Sequence, residues 1–172
     1  MTERQRKSMS ESRTIKTQQV FPTDTNHHHT LFGGKLMAMI DDVAAIAATR
    51  HCGRSVVTAS TDSVDFIRPI RPGEIVSLVS LVTYTGNSSL EVCVKIISEN
   101  VLEQTKQLAA ISFLTFVALD ENNKPVQVPE VYGETEDQIW LNETGKDRAR
   151  HRKERVAQSK ELLNFFATKL YV

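Results

Sequence analysis

An α+β fold, one antiparallel sheet packed on one apolar helix, is what this sequence predicts. The first observation is the stretch 35–50, the most apolar helical run in the chain. The second is a set of four later strand-like runs, 55–67, 74–84, 88–98 and 107–119. The third is that short turns join those runs, which leaves no room for βαβ units.

Taken in order, the chain opens on a polar segment, and residues 1–13 are expected to form a loose tail. Residues 14–21 alternate weakly and suit an edge strand leading into a polar loop, 24–30. Gly33-Gly34 opens the helix, and His51-Cys52-Gly53 closes it with a glycine where a C-terminal cap belongs. At 100° per residue, Leu36, Ile40, Val43 and Ala47 fall on one core-facing stripe. Asp41 falls on another face, beside Met37, Ala44, Ala45 and Ala48, while Asp42 points to the opposite flank, nearer Lys35, Met39 and Ile46. A helix this apolar on every side should be buried, so an acid inside it needs a reason. Small alanines around Asp41 would let a ligand or another backbone come close.

Among the strands, 88–98 is the clearest, with Leu90, Val92, Val94 and Ile96 alternating against Glu91, Cys93 and Lys95. Arg68-Pro69-Ile70-Arg71-Pro72-Gly73, Gly86-Asn87 and Glu99-Asn100 supply the turns, and residues 120–124 a last one. Beyond Val131 the composition shifts to two expected helices, 134–141 and 146–170, separated by Asn142-Glu143-Thr144-Gly145. The domain reading is a tail at 1–13, a core domain at 14–130 and a helical extension at 131–172.

The 172 residues are 40% hydrophobic, enough for one sizeable core. A formal net charge of +0, from 21 basic and 21 acidic residues, argues against general binding to nucleic acid or anionic membrane. Cys52 and Cys93 have neither metal-site nor redox spacing and read as free thiols of a reducing, cytoplasmic compartment. No stretch is long and apolar enough to span a membrane. His27-His28-His29 is read as a polar loop and not a metal site, because adjacent residues seldom converge on one ion.

The Gly33-Gly34 amides lie at the positive end of the helix dipole and can hold a phosphate or a developing oxyanion; close packing is the plainer reading. Asn26 can fix a water or a carbonyl, or simply make an Asx turn. Ser88 and Ser89 would ordinarily be turn residues, and the basic face carrying Arg150 and Arg152 a solvated helix surface. No G-x-S-x-G elbow is present.

The combination is more specific than its parts. Asp24-Thr25-Asn26, Phe32-Gly33-Gly34, Asp41, Arg50-His51-Cys52 and Val57-Thr58-Ala59-Ser60…Asp65-Phe66 resemble the hotdog-fold acyl-CoA thioesterases, most closely the bacterial cytosolic enzymes related to brain-type acyl-CoA hydrolases. The likeness covers roughly 14–128, including Ile67-Arg68-Pro69 and Gly86-Asn87-Ser88-Ser89. The His triplet departs from relatives that often carry a small residue there, which bears on loop shape and substrate preference.

This resemblance implies a curved antiparallel sheet around one long helix, a homodimer and its assembly into a trimer of dimers, a hexamer. It implies hydrolysis of fatty acyl-CoA to free acid and CoA, a place in fatty acid metabolism, and no metal or organic cofactor, CoA being part of the substrate. Asp41 would act as general base or as nucleophile, Asn26 would position water or thioester, and a Gly33 or Gly34 amide would hold the oxyanion. Thr58, Ser60, Arg68, Ser88, Ser89, Arg150 and Arg152 are the expected substrate and CoA contacts. Gly34 and Asp41 stand about 10 Å apart along one helix, so a site shared across the dimer is expected. Two alternatives compete: a hydratase or dehydratase of the same fold, whose usual Asp/His pair is missing, and a non-catalytic acyl-CoA binding or sensing protein.

Overall fold

The computed structural model describes residues 4–167 and Lys169. Its main sheet has five antiparallel strands in the order β2-β4-β5-β6-β3. These are β2 (Thr14–Gln19), β3 (Ser55–Phe66), β4 (Ile75–Thr85), β5 (Ser89–Asn100) and β6 (Thr105–Leu119), with β1 (Arg6–Ser8) elsewhere. Helix α2 (Gly33–Cys52) follows the short α1 (Met9–Ser12) and carries the chain from one sheet edge, β2, to the other, β3. This curved antiparallel sheet on one long helix is the hotdog fold that the motifs imply.

The expected core stripe holds: Leu36, Ile40, Val43 and Ala47 are all buried. They face Leu90, Val92, Val94 and Ile96 of β5, each fully buried. Ser80 ties helix to sheet, its hydroxyl donating to the Val43 carbonyl at 3.0 Å. Gly53 ends α2 in the left-handed region (φ 63°), its N–H bonding the Thr49 carbonyl at 2.8 Å. The helix is not buried all round, however. Met37 and Ile46 are each 46% exposed, so the outward half of α2 stays open.

Three further expectations are corrected. Residues 6–12 are no loose tail. β1 pairs in parallel with β7 (Glu130–Tyr132), and Ser8 and Glu11 cap α1 reciprocally. Met9 and Ser12 are fully buried, Ser12 accepting from the Val82 amide at 2.9 Å. A single apolar anchor and a partner strand far along the chain hold a segment whose composition is polar. The turn placed at Glu99-Asn100 lies later, since β5 runs through Asn100 and Gln104 takes the positive φ (52°).

The two C-terminal helices are one, α3 (Glu136–Ala167); Leu170 lies outside the described residues. Gly145 is not a break. A Cβ there would stand 2.5 Å from Tyr84, so the glycine lets the helix lie directly on β4. Asn142 also serves packing, donating to the Thr83 carbonyl at 2.9 Å. Because α3 covers the outer face of the sheet, Glu91 and Cys93 on that side of β5 are buried as well. Burial pushes the Cys93 thiol up to about 12.

Candidate active site

The loop before α2 is organised by Asp24, which is 5% exposed. Its carboxylate accepts from the Phe21 amide at 3.0 Å and from the Lys35 ammonium. Its carbonyl accepts from the Phe32 amide at 2.9 Å. The Lys35 bond above all, with the Phe21 amide, holds the Asp24 carboxyl below its ordinary range. The loop entry and the first turn of the helix are thereby fastened together. Nothing in the sequence spacing announces that pair.

Within the loop Asn26 makes the Asx turn. Its Oδ1 accepts from the His28 amide at 2.9 Å, and its Nδ2 donates to the Thr30 hydroxyl at 3.1 Å. Closing this turn forces His29 to a positive φ (56°). The three histidines point to solvent. No three His, Cys, Asp or Glu side chains converge as a metal site among the described residues.

In the first turn of α2 the Lys35 and Leu36 amides both bond the Phe32 carbonyl. Among the described residues, the Gly33 and Gly34 N–H groups meet no acceptor. The Phe32 ring stands where a Gly34 side chain would be, within 2.6 Å of a Cβ, whereas Gly33 has ordinary room. Asn26, Thr30, Gly33 and Leu36 line a cleft of 430 Å³ together with residues 66–70. Arg68 is part of that wall.

Asp41 is half-buried on the outward half of α2, where Thr58 Oγ1 donates to its Oδ1 at 2.9 Å. Asp42 instead pairs with Lys16 of β2 at 2.9 Å and is exposed, so the two acids have different partners, from opposite edge strands. Asp41 and Asp42 both line a second cleft, of 610 Å³, with Lys16, Val43, Ala45 and Ile46. In one chain, therefore, Asn26, Gly33 and Arg68 line one cleft and Asp41, hydrogen-bonded to Thr58, lines another.

Other expected contacts fall elsewhere. Ser60 does not share the face of Thr58. The β3–β6 register slips between Thr58 and Ser60, turning Ser60 outward, where its hydroxyl donates to Asp62. Ser88 and Ser89 shape the Gly86-Asn87 turn: Ser88 O accepts from the Ala118 amide and Ser89 O from the Gly86 amide, both at 2.9 Å. Arg150 is exposed and pairs with Asp147 at 3.1 Å. Arg152 is not at an open mouth but lies between α3 and the sheet, near Asp62 and Glu91. Its neighbour Arg148 grips Glu91, an acid that strand alternation gave no reason to single out.

His51 is fully buried against the Pro129 carbonyl at 3.1 Å, and burial lowers its pKa. Burial raises the Cys52 pKa, and its thiol meets backbone carbonyls, so the two do not form a nucleophile–base pair. No described helix is long and apolar enough to cross a membrane.

Comparison with known proteins adds a family. Residues 28–104 match the model of the Thioesterase superfamily. YkhA of Bacillus subtilis, an acyl-CoA thioester hydrolase itself uncharacterized, is 56% identical over 158 residues, 92% of either chain. The acyl-CoA hydrolase of Staphylococcus aureus, solved with butyryl-CoA, CoA and CoA disulfide, is 52% identical, with a TM-score of 0.91 over 94% of this chain and 99% of that one. It has also been solved with one aspartate, one asparagine or one threonine replaced by alanine. A hexameric acyl-CoA thioesterase is 46% identical, with a TM-score of 0.87 over 89% of this chain and 98% of that one. The chain belongs to the acyl-CoA thioester hydrolases of the thioesterase superfamily.

Proposed function

We propose that this chain hydrolyses acyl-CoA to a free acid and CoA at a site completed by two copies of itself. The observation that carries the reading is the division of the functional groups. Asn26 and Gly33 line one cleft, and Asp41, held by Thr58, lines another. A thioester carbon needs an attacking water and an oxyanion donor within about 3 Å of each other's target, or one water's reach. The outward half of α2, which bears Asp41, carries exposed apolar side chains at both margins: Met37 and Ile46 are each 46% exposed. β3 is an edge strand with one side unpaired among the described residues. Such a surface suits a second copy, which would set Asp41 of one chain against Asn26 of the other.

In this scheme Asp41 takes the proton of the attacking water through the oxygen that Thr58 leaves free. Water oxygen bonds the carbonyl carbon, the carbonyl oxygen gathers charge against the Gly33 or Gly34 N–H, and the C–S bond breaks. The proton then passes to the CoA sulfur. Asn26 orients water or thioester, and Arg68 offers a cation to the CoA end of the same cleft. No metal or organic cofactor enters. The named activities of the relatives support the reaction class. The residue types altered in the Staphylococcus enzyme are those placed here at Asp41, Asn26 and Thr58. Three such dimers would make six copies, the number in the hexameric relative.

The test mixes two inactive variants, Asn26→Ala and Asp41→Ala, under subunit exchange, and follows thiol release from acyl-CoAs. Mixed dimers carry one intact site, so activity returns. Proven exchange without recovery rejects the shared site, and no thiol release by the unaltered protein rejects the reaction.

A further inference from the structure

On the sheet face opposite α2, helix α3 roofs a cavity of 210 Å³ lined by Asp62, Ser63, Glu91, Phe113, Arg148, His151, Arg152 and Arg155. Three guanidiniums meet two carboxylates there. Arg148 closes its fork on Glu91, with Nη2 2.9 Å and Nε 3.1 Å from Oε1, and Thr83 adds a hydroxyl at 2.8 Å. Arg155 closes on Asp62, which also accepts from Ser60 and, at 2.6 Å, from Thr115. Both carboxylates are thus satisfied without Arg152. Arg152 Nη1 stands 3.5 Å from Asp62 and 3.8 Å from Glu91, in ion-pair range but without a hydrogen bond. That nitrogen is buried and has no acceptor among the described residues.

A buried cationic donor without an acceptor is costly, and native structures seldom leave one unfilled. With one positive charge in excess, the missing partner is an anion. Guanidinium forks suit planar or tetrahedral oxygens, and His151 at the rim offers a further donor. The cavity holds several water volumes, at about 30 Å³ each, but is too small for a whole nucleotide. We infer that the space beneath α3 is a binding site for one phosphate-class oxyanion, held by Arg152 and fastening α3 to the sheet. The site is independent of the reaction, since Asp41 and Thr58 lie on the other face of β3.

The same chemistry can come from inorganic phosphate or from the phosphate end of adenosine 3′,5′-bisphosphate, the nucleotide part of CoA. Each is titrated calorimetrically into the full-length protein, with chloride at matched ionic strength as the blank. Saturable binding of either, weakened at least tenfold by Arg152→Gln and unchanged by Arg150→Gln on the exposed face, supports the site, and the tighter ligand identifies the source. If neither binds the unaltered protein, or if binding ignores Arg152→Gln in a variant with native circular dichroism, the inference is overturned. Should Arg152→Gln fail to fold, Arg152→Lys, which keeps charge but loses the fork, takes its place with the same two outcomes.

Discussion

Thr58 on the edge strand donates to Asp41 on the central helix at 2.9 Å, and this bond fixes which oxygen of the carboxylate faces solution. It is also the contact by which the outermost strand orients the acid proposed as the base. Asp41→Asn keeps the shape and removes the base, so kcat falls at least a thousandfold while the fold and CoA affinity persist. Asp42→Asn breaks only an exposed pair with Lys16 and leaves turnover within about twofold. Thr58→Val removes a bond to a charged acceptor, worth about 1.5–3 kcal/mol, and lowers kcat roughly ten- to a hundredfold. Steady-state thiol release checks all three; equal losses from Asp41→Asn and Asp42→Asn would defeat the assignment.

Asp24 never reaches the cleft, yet it ties the Asn26 loop to the start of α2. Asp24→Asn keeps the bond from Phe21 but loses the Lys35 charge pair. Turnover should fall more than substrate affinity, because Asn26 and the glycine amides drift apart. Its folded pKa is lowered, so the stabilising contribution is present at neutral pH and is lost as pH falls below the ordinary 3.8. Melting curves of the two proteins should therefore differ near pH 7 and converge in acid.

His51 carries the opposite pH signature to a stabilising histidine pair. Burial first, then the charges of Lys7 and Arg4, disfavour its proton in the folded state; the Pro129 carbonyl and Glu11 oppose them. The unfolded chain consequently binds more protons below about pH 6.5, and stability drops as pH falls through that range. His51→Gln should flatten this part of the melting-temperature profile between pH 7 and 5. An identical slope in both proteins would contradict the account.

Gly145 decides between two views of the C-terminal helix. Were it an open link between two helices, Gly145→Ala would stabilise by about 0.4–1 kcal/mol by restricting the unfolded chain. Packed so closely that a Cβ would stand only 2.5 Å from Tyr84, it should instead destabilise by about 1–3 kcal/mol through overpacking. Urea denaturation gives the sign directly.

Much of the fold was legible because burial on one face leaves a periodic trace. The stripe Leu36, Ile40, Val43, Ala47 and the alternation Leu90, Val92, Val94, Ile96 each report a single local surface, and both are buried as read. Gly53 likewise marks its own left-handed cap. The distance of Gly34 from Asp41 along α2, and the different partners of Asp41 and Asp42, were legible too, because helix geometry converts spacing into distance and direction.

What the tertiary structure alone decided are the relations between residues far apart in the chain. Lys7 pairs with Val131, Gly145 rests on Tyr84, and Glu91 lies beneath Arg148. None of these leaves a local trace, because each depends on which surfaces the sheet brings together. The bulge at Thr58 shows the limit most sharply. Alternation alone puts Thr58 and Ser60 on one face, but one register slip against β6 sends the first toward Asp41 and the second beneath α3. A strand's period is set by its own backbone, whereas its phase after a bulge is set by the hydrogen bonds of its neighbour.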